Sequence, residues 1–116
     1  ADGFYEWQVE NGAKHPVYIT LDGGKPFAFA GLWQQGDVPS CTIITQPAAR
    51  VLQDVHHRMP VILTPETEQL WLSPLPFGEL AARLPDQEGR PFTYHRVSKL
   101  VNSPRNNSRE CILPVS

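Results

Sequence analysis

The segment Phe4–Trp33, FYEWQVENGAKHPVYITLDGGKPFAFAGLW, decides the fold prediction. It begins with a loosely alternating, aromatic-rich stretch, which is typical of a strand. Asn11-Gly12 then supplies a turn, because both residues tolerate a positive φ angle, and Val17–Leu21 alternates with a period of two. Asp22-Gly23-Gly24 marks a second turn before the alternating stretch Phe27–Trp33. The sequence therefore predicts a three-stranded meander from Phe4 to Trp33.

Short elements joined by turns are predicted for the rest of the chain, because its 116 residues include 12 prolines and 8 glycines. They are a central strand covered on both faces at Cys41–Thr45, a helix at Ala48–Val55 after Pro47, strands at Val61–Leu63, Thr93–Val97 and Glu110–Val115, a helix capped by Thr64 that turns Leu70 and Trp71 inward, and a helix at Phe77–Leu84. The prediction is one α+β domain over residues 1–116. Its sheet is mainly antiparallel, either bifurcated or a small barrel-like meander, with a few short helices.

Composition sets broad limits on function. Apolar residues make up 41% and charged residues 19%, an ordinary globular balance. A net charge of −2 does not indicate nucleic-acid binding, although a local basic groove stays open as an alternative. Cys41 and Cys111 form neither a metal-binding spacing nor a disulfide framework, which favours a reducing cytoplasm. No apolar run approaches the ~18 residues of a membrane span, so no membrane association is predicted.

Glu6 is the first candidate for chemistry, within Gly3-Phe4-Tyr5-Glu6-Trp7. Strand alternation places Phe4 and Glu6 on one face, with Tyr5 and Trp7 on the other. A carboxylate beside aromatic surface is partly shielded from water, a setting suited to acid/base work. The alternative is that Glu6 is a solvated residue on an amphipathic strand, where glutamate is usually found.

The second candidate is Asp54-Val55-His56-His57-Arg58-Met59-Pro60, between a predicted helix and a predicted strand. Imidazole exchanges protons near neutral pH, and the planar guanidinium of Arg58 suits a phosphate. An exposed polar turn ended by Pro60 explains the same residues equally well. A zinc site of His56, His57, Asp54 and Cys41 is disfavoured, because adjacent histidines in a strand-like turn point apart. We therefore predict no metal.

The third candidate is the most basic stretch, Tyr94–Lys99 followed by Arg105, Asn106, Asn107 and Arg109. Basic and amide side chains can follow a phosphate backbone, although a solvated surface is the commoner explanation. The sequence contains no phosphate-binding loop, dinucleotide fingerprint or nucleophile elbow, so no cofactor is predicted. Cys41 precedes an apolar strand and is predicted to be a buried, inert thiol.

In order and spacing, three motifs resemble the SRAP family, the SOS response-associated peptidases. They are Gly3–Trp7, Ile43-Ile44-Thr45 and Asp54–Val61. Phe29–Trp33 fits the strand between the first two, and His95–Ser98 with Val101-Asn102 fits the family's closing segment. The similarity covers essentially the whole chain.

The resemblance implies covalent capture of abasic sites in single-stranded DNA. In the family, the amine of an N-terminal cysteine attacks the ring-opened sugar aldehyde to form a Schiff base, and the thiol then closes a thiazolidine. Glu6 matches the family's acid/base and His56 a second proton carrier. Thr45 lines the same pocket, Arg58 contacts DNA phosphate, and Trp7 lies where the site wall approaches the nucleic acid. The family is also linked to an autopeptidase activity and to DNA repair.

The chain departs from the family at its start, because the Met-Cys-Gly-Arg beginning and its nucleophile are absent. Neither Cys41 nor Cys111 matches the catalytic cysteine. We therefore expect a C-terminal portion of an SRAP domain that lacks its N-terminal segment, is inactive alone and is a monomer. The main alternative is a non-catalytic module that binds single-stranded nucleic acid through Arg58 and residues 95–109. A cysteine peptidase acting in trans is disfavoured, since the sequence shows no accessible Cys-His pair.

Overall fold

The computed structural model describes residues 1–115. Within these residues, seven strands and two α-helices are joined by turns, four of which form short 3-10 helices. The strands are β1 (Phe4–Glu10), β2 (Ala13–Leu21), β3 (Gly31–Gln34), β4 (Ser40–Ile43), β5 (Thr45–Pro47), β6 (Arg58–Pro60) and β7 (Phe92–Arg96). The helices are α1 (Pro65–Trp71) and α2 (Phe77–Ala81).

The predicted β1–β2 hairpin is confirmed. Its strands pair antiparallel with Glu10 opposite Ala13, so Asn11 and Gly12 alone make the turn. Their φ angles are 51° and 77°, and two successive positive values match the right-handed twist of the flanking strands. The turn chemistry in the sequence therefore sets the register of the two strands.

The third strand of the meander is predicted wrongly. β2 pairs on its other side with β7, with Val17 opposite Arg96 and Leu21 opposite Phe92. Residues 27–30 pack beside the sheet instead, where the Phe27 and Phe29 rings meet the Phe4 ring edge-on at 6.5 and 6.1 Å between centroids. A pairing between β2 and a strand about 70 residues later leaves no local pattern in the sequence.

β3 and β4 form a separate two-stranded ribbon in which every residue is exposed. The prediction of a central strand at Cys41–Thr45, covered on both faces, is therefore wrong. Cys41 is correspondingly exposed, not buried. The apolar run misleads because the large hydrophobic side chains of the ribbon are exposed, with Leu32 at 39%, Ile43 at 47% and Trp33 at 74%.

Two further elements differ from prediction around residues 48–63. A 3-10 turn at Arg50–Leu52 replaces the helix expected over Ala48–Val55. The strand expected at Val61–Leu63 begins earlier, as β6, which pairs with β5. Ile62 continues it with an isolated bridge to Phe29. The chain is thereby folded back sharply at residues 48–57, and this is where the candidate site lies.

The helices are short but begin as predicted. Thr64 caps α1, because its Oγ1 accepts from Thr67 N and its own N–H donates to Thr67 Oγ1. Leu70 and Trp71 turn only partly inward and are half-buried. α2 ends at Ala81, short of the predicted Leu84.

The C-terminal strand expected at Glu110–Val115 is a 3-10 turn, Arg109–Ile112, followed by one bridge between Val97 and Pro114. This segment covers the outer face of the three-stranded sheet, where the Tyr5 hydroxyl donates to the Cys111 carbonyl at 3.1 Å. Burial raises the pKa of Tyr5, and the neighbouring Cys111 and Tyr18 add to the rise.

The main core lies between the three-stranded sheet and the folded-back segment. Its buried members are Val17, Ile19, Leu21, Ala48, Ala49, Leu52, Val55, Met59, Ile62 and Phe92. The α+β class and the mainly antiparallel sheets are as predicted, with three separate sheets and no closed barrel within residues 1–115. Across the same residues, no helix has the length and apolar character needed to cross a membrane.

Candidate active site

Glu6 reaches the site from the edge strand β1, on the face it shares with Phe4. Gly3, which opens the motif, lets this strand approach β2 closely. A Cβ atom on Gly3 would lie 2.6 Å from the Ile19 carbonyl oxygen. The Glu6 side chain remains 24% exposed. Its carboxylate is therefore placed by the sheet while still open to solvent or a ligand.

His56 belongs to a tight turn of residues 53–57, here called the His56 turn. The N–H groups of Val55 and His56 both donate to the Leu52 carbonyl, at 2.9 and 3.1 Å. At its end, Ala48 N donates to the His57 carbonyl at 3.0 Å. Leu52 and Val55 are buried in the main core, which anchors the turn from beneath. The His56 ring is left pointing toward β1.

Glu6 and His56, which are 50 residues apart in sequence, face each other in space. The distance from His56 Nε2 to Glu6 Oε2 is 3.7 Å. This distance is longer than a normal hydrogen bond. A small approach of the two side chains would form that bond, and a small separation would make room for a reacting oxygen between them. The structure thus brings together the two residues predicted as proton carriers.

The backbone of Arg58 orients the His56 ring. Arg58 N lies 3.1 Å from His56 Nδ1 and donates to it. This contact fits the tautomer in which Nδ1 is unprotonated and the ring proton lies on Nε2, the nitrogen that faces Glu6. The Arg58 carbonyl oxygen lies 3.2 Å from the same Nδ1 and can accept from it whenever Nδ1 carries a proton. One residue therefore supports both protonation states of His56.

Arg58 and Thr45 are also brought together. They lie on the paired strands β6 and β5, and an Arg58 Nη donates to Thr45 Oγ1 at 3.1 Å. Since a guanidinium has five N–H donors, this contact leaves most of them free for an anion. Arg58 directly follows the His56 turn in the sequence, so the Arg58–Thr45 pair lies next to His56.

A cavity of about 580 Å³ lies over the Glu6–His56 pair. This is within the usual range for sites that bind small ligands. It is lined by Glu6, Trp7, Val9, Lys14, Gln53, Asp54, Val55, His56 and His57. Lys14 and Gln53 carry no signal in the sequence, because they lie outside the motifs. Neither Cys41 nor Cys111 is among the lining residues.

Trp7 connects the cavity to the basic C-terminal stretch. Its indole Nε1–H donates to Asn102 Oδ1 at 2.7 Å. Within that stretch, Arg96 is paired with the Glu10 carboxylate and His95 Nε2 lies 2.8 Å from the Ile112 carbonyl oxygen. Lys99, Arg105 and Arg109 are exposed. Only part of the predicted basic surface is thus engaged in intramolecular contacts.

The expectation that His56 and His57 point apart is wrong. Their rings stack, with centroids 4.6 Å apart and planes 25° from parallel. Stacking places His57 as a support behind His56. Within residues 1–115, no three histidine, cysteine or acidic side chains come together in a group that could hold a metal ion.

Comparisons with known proteins agree with the resemblance in the motifs. A family model described as SOS response associated peptidase (SRAP) matches residues 1–104. Abasic site processing protein YoqW of Bacillus subtilis is 41% identical, over 97% of this chain and 54% of the relative. Abasic site processing protein HMCES of Xenopus tropicalis is 33% identical, over 99% of this chain and 42% of the relative. The chain spans about half the length of these relatives.

Solved structures show the same fold. A crystal structure of a Bordetella bronchiseptica protein matches 84% of this chain and 52% of that one, with 26% identity and a TM-score of 0.74. One from Bacteroides thetaiotaomicron covers all of this chain and 55% of that one, with a TM-score of 0.85 at 24% identity, and supports the fold alone. Since the family model extends over most of the sequence, the chain belongs to the SOS response associated peptidase (SRAP) family.

Proposed function

We propose that residues 1–116 form the acid/base and DNA-contacting part of a centre that processes abasic sites in single-stranded DNA. The observation that carries this proposal is the Glu6–His56 pair, 3.7 Å apart beneath an open cavity. Relatives named abasic site processing proteins supply the substrate class. The nucleophile in this proposal is an N-terminal cysteine outside residues 1–116.

The proposed reaction begins at the aldehyde of the ring-opened sugar. The cysteine amine adds to the carbonyl carbon to give a carbinolamine, which loses its hydroxyl as water to give an imine. The cysteine thiol then adds to the imine carbon and closes a thiazolidine, with its proton passing to the nitrogen. Loss of the carbinolamine hydroxyl as water requires an acid, and we assign this role to the imidazole of His56, whose Nε2 lies beside Glu6. Glu6, which faces His56, exchanges the second proton that these steps transfer.

DNA binding falls to the groups around this pair. The free N–H donors of Arg58 are suited to a phosphate, with Thr45 holding the guanidinium in place. Trp7 forms a wall of the cavity next to the basic stretch. An abasic nucleotide has no base to stack, so recognition rests on its backbone and sugar. The same centre could remove residues ahead of the cysteine, which is the peptidase activity in the family name.

The test measures capture of an abasic oligonucleotide by a protein that carries the family's N-terminal cysteine ahead of these residues. We expect Glu6→Gln or His56→Ala to slow formation or reversal of the adduct by about tenfold or more, because each removes a proton carrier. Adduct is quantified over time on a denaturing gel. Glu79→Gln, an exposed carboxylate on α2, is the matched control and keeps the original rate.

Unchanged rates in both site variants would remove Glu6 and His56 from the mechanism. A complex that never survives denaturation would instead identify a non-catalytic module. Its affinity would then fall steeply with salt, as expected when Arg58 and residues 95–109 neutralise phosphates.

A further inference from the structure

Gln8 is the residue beside the site whose contacts the proposed chemistry does not explain. It lies on β1, two residues after Glu6, and therefore on the same face of the sheet. Its amide Nε2 donates to the Asp54 carbonyl in the His56 turn at 2.8 Å. Its Oε1 accepts from an Arg96 Nη at 3.4 Å, and Arg96 is also held by the Glu10 carboxylate.

These partners fix which way the Gln8 amide faces. Arg96 can only donate hydrogen bonds and a carbonyl can only accept them. Exchanging the two ends of the amide would place NH2 against the guanidinium and oxygen against the Asp54 carbonyl, so both contacts would become repulsive. The Gln8 side chain is therefore held in one orientation, with its donor directed at the His56 turn.

The bond from Gln8 to Asp54 has no parallel within residues 1–115. It is the one hydrogen bond there between β1, which carries Glu6, and the His56 turn, which carries His56. The buried side chains of Leu52 and Val55 hold the turn on the core but make no directional contact with β1. Within residues 1–115, Gln8 is thus the side chain whose hydrogen bond ties the strand of Glu6 to the turn of His56.

We propose that Gln8 is a positioning residue that sets the distance between Glu6 and His56. Arg96, oriented by Glu10, holds the Gln8 amide, and the amide holds the Asp54 carbonyl two residues before His56. This proposal deepens the proposed function, on which its catalytic meaning rests. The geometric part can be tested on the chain without DNA.

The test uses nitrogen-15 NMR of the His56 ring in the 116-residue chain. Glu6→Gln is introduced into the original sequence and into Gln8→Glu and Gln8→Met backgrounds. Gln8→Glu keeps the length of the side chain and its contact with Arg96 but presents oxygen to the Asp54 carbonyl. Gln8→Met removes both polar groups. We expect the change that Glu6→Gln causes at His56 Nε2 to fall to about half or less in either background, since coupling requires contact.

Thr20→Val is the matched control, because it removes a 3.0 Å hydrogen bond to Thr93 elsewhere in the same sheet. It should leave the response of His56 to Glu6→Gln unchanged. A merely structural role for Gln8 would lower the melting temperature without altering that response. Equal responses in the original, Gln8→Glu and Gln8→Met backgrounds would overturn the proposal.

A second measurement separates this inference from the proposed function. In a protein with the N-terminal cysteine, both Gln8 variants should slow adduct formation, and Gln8→Met, which adds no charge, should leave the non-covalent affinity for an intact single strand unchanged. If the original protein forms no adduct, the proposed function fails while the NMR result still decides the role of Gln8. If adduct formation is normal in both Gln8 variants, the positioning role is rejected.

Discussion

Arg58 shows how much one residue contributes at this site. Its N–H and carbonyl both lie within 3.2 Å of His56 Nδ1, while its guanidinium reaches Thr45. The backbone contacts do not depend on the side chain. Replacing Arg58 would therefore remove the group proposed to bind phosphate while retaining the backbone contacts that orient His56. Variants of Arg58 can thus separate the proposed DNA binding by its side chain from the proposed proton transfer by His56.

Tyr5 makes the stability of the protein depend on pH. Burial raises the pKa of its hydroxyl above 10.0, the ordinary value. Folding thus favours the neutral form, and this stabilisation is complete below pH 10.0 and lost as pH rises through the higher pKa of the folded state. We expect the free energy of unfolding to decrease above about pH 10, and less so in Tyr5→Phe. Urea unfolding at several pH values measures the difference, and parallel curves would contradict it.

Sequence alone found those site residues that carry distinctive chemistry. Glu6 stands among aromatic residues and His56 beside Arg58, so both attract notice as titratable or phosphate-binding groups. Gln8 and Lys14 carry no such signal, because a polar residue on a strand is ordinary. They lie at the site because the β1–β2 hairpin approaches the His56 turn, where Gln8 contacts Asp54, 46 residues later, and Lys14 lines the cavity.

At the scale of elements, local chemistry was predictable and distant pairing was not. The Asn11-Gly12 turn and the Thr64 cap are each determined by a few neighbouring residues. The partner of β2 was missed because β7 follows it by about 70 residues, and the apolar segment Phe27–Trp33 offered a nearer choice. Ribbon β3–β4 was misassigned because hydrophobicity was taken to indicate burial.

The cap of α1 gives a prediction about this element. Thr64 and Thr67 exchange hydrogen bonds reciprocally, which satisfies N–H groups that the helix cannot. We expect Thr64→Ala to lower the free energy of unfolding by about 1 kcal/mol. Thr64→Ser keeps the hydroxyl and should lose much less. Thermal melts followed by circular dichroism compare the three proteins, and equal losses for alanine and serine would show that the hydroxyl is unimportant.

Across the whole molecule, packing is uneven. The three-stranded sheet buries one face of the second half of its central strand, where Val17 and Ile19 are at most 1% exposed. Ribbon β3–β4 has no buried residue, and a two-stranded ribbon is marginal without packing. The chain thus combines a firmly packed half, which carries Glu6 and the His56 turn, with a ribbon that lacks cover in residues 1–115.

Hydrogen exchange should reveal this unevenness. We expect amides that bridge β3 and β4 to exchange roughly a hundredfold or more faster than those that bridge β2 and β7, because local opening of an unpacked element costs little free energy. Two-dimensional NMR spectra recorded after transfer to deuterium oxide measure both sets in one sample. Similar protection in the two sheets would show that the ribbon opens only with the whole domain.

The three tryptophans occupy three different surroundings, and this gives the protein an intrinsic optical reporter. Trp33 is 74% exposed on the ribbon, whereas the indole N–H groups of Trp7 and Trp71 donate to Asn102 and to the Gly31 carbonyl. Fluorescence from the native chain therefore mixes a strongly hydrated indole with two half-buried ones. Trp33→Phe would remove the hydrated emitter. Trp7 lines the cavity and would then contribute a much larger share of any change in the emission spectrum that a ligand bound in the cavity causes.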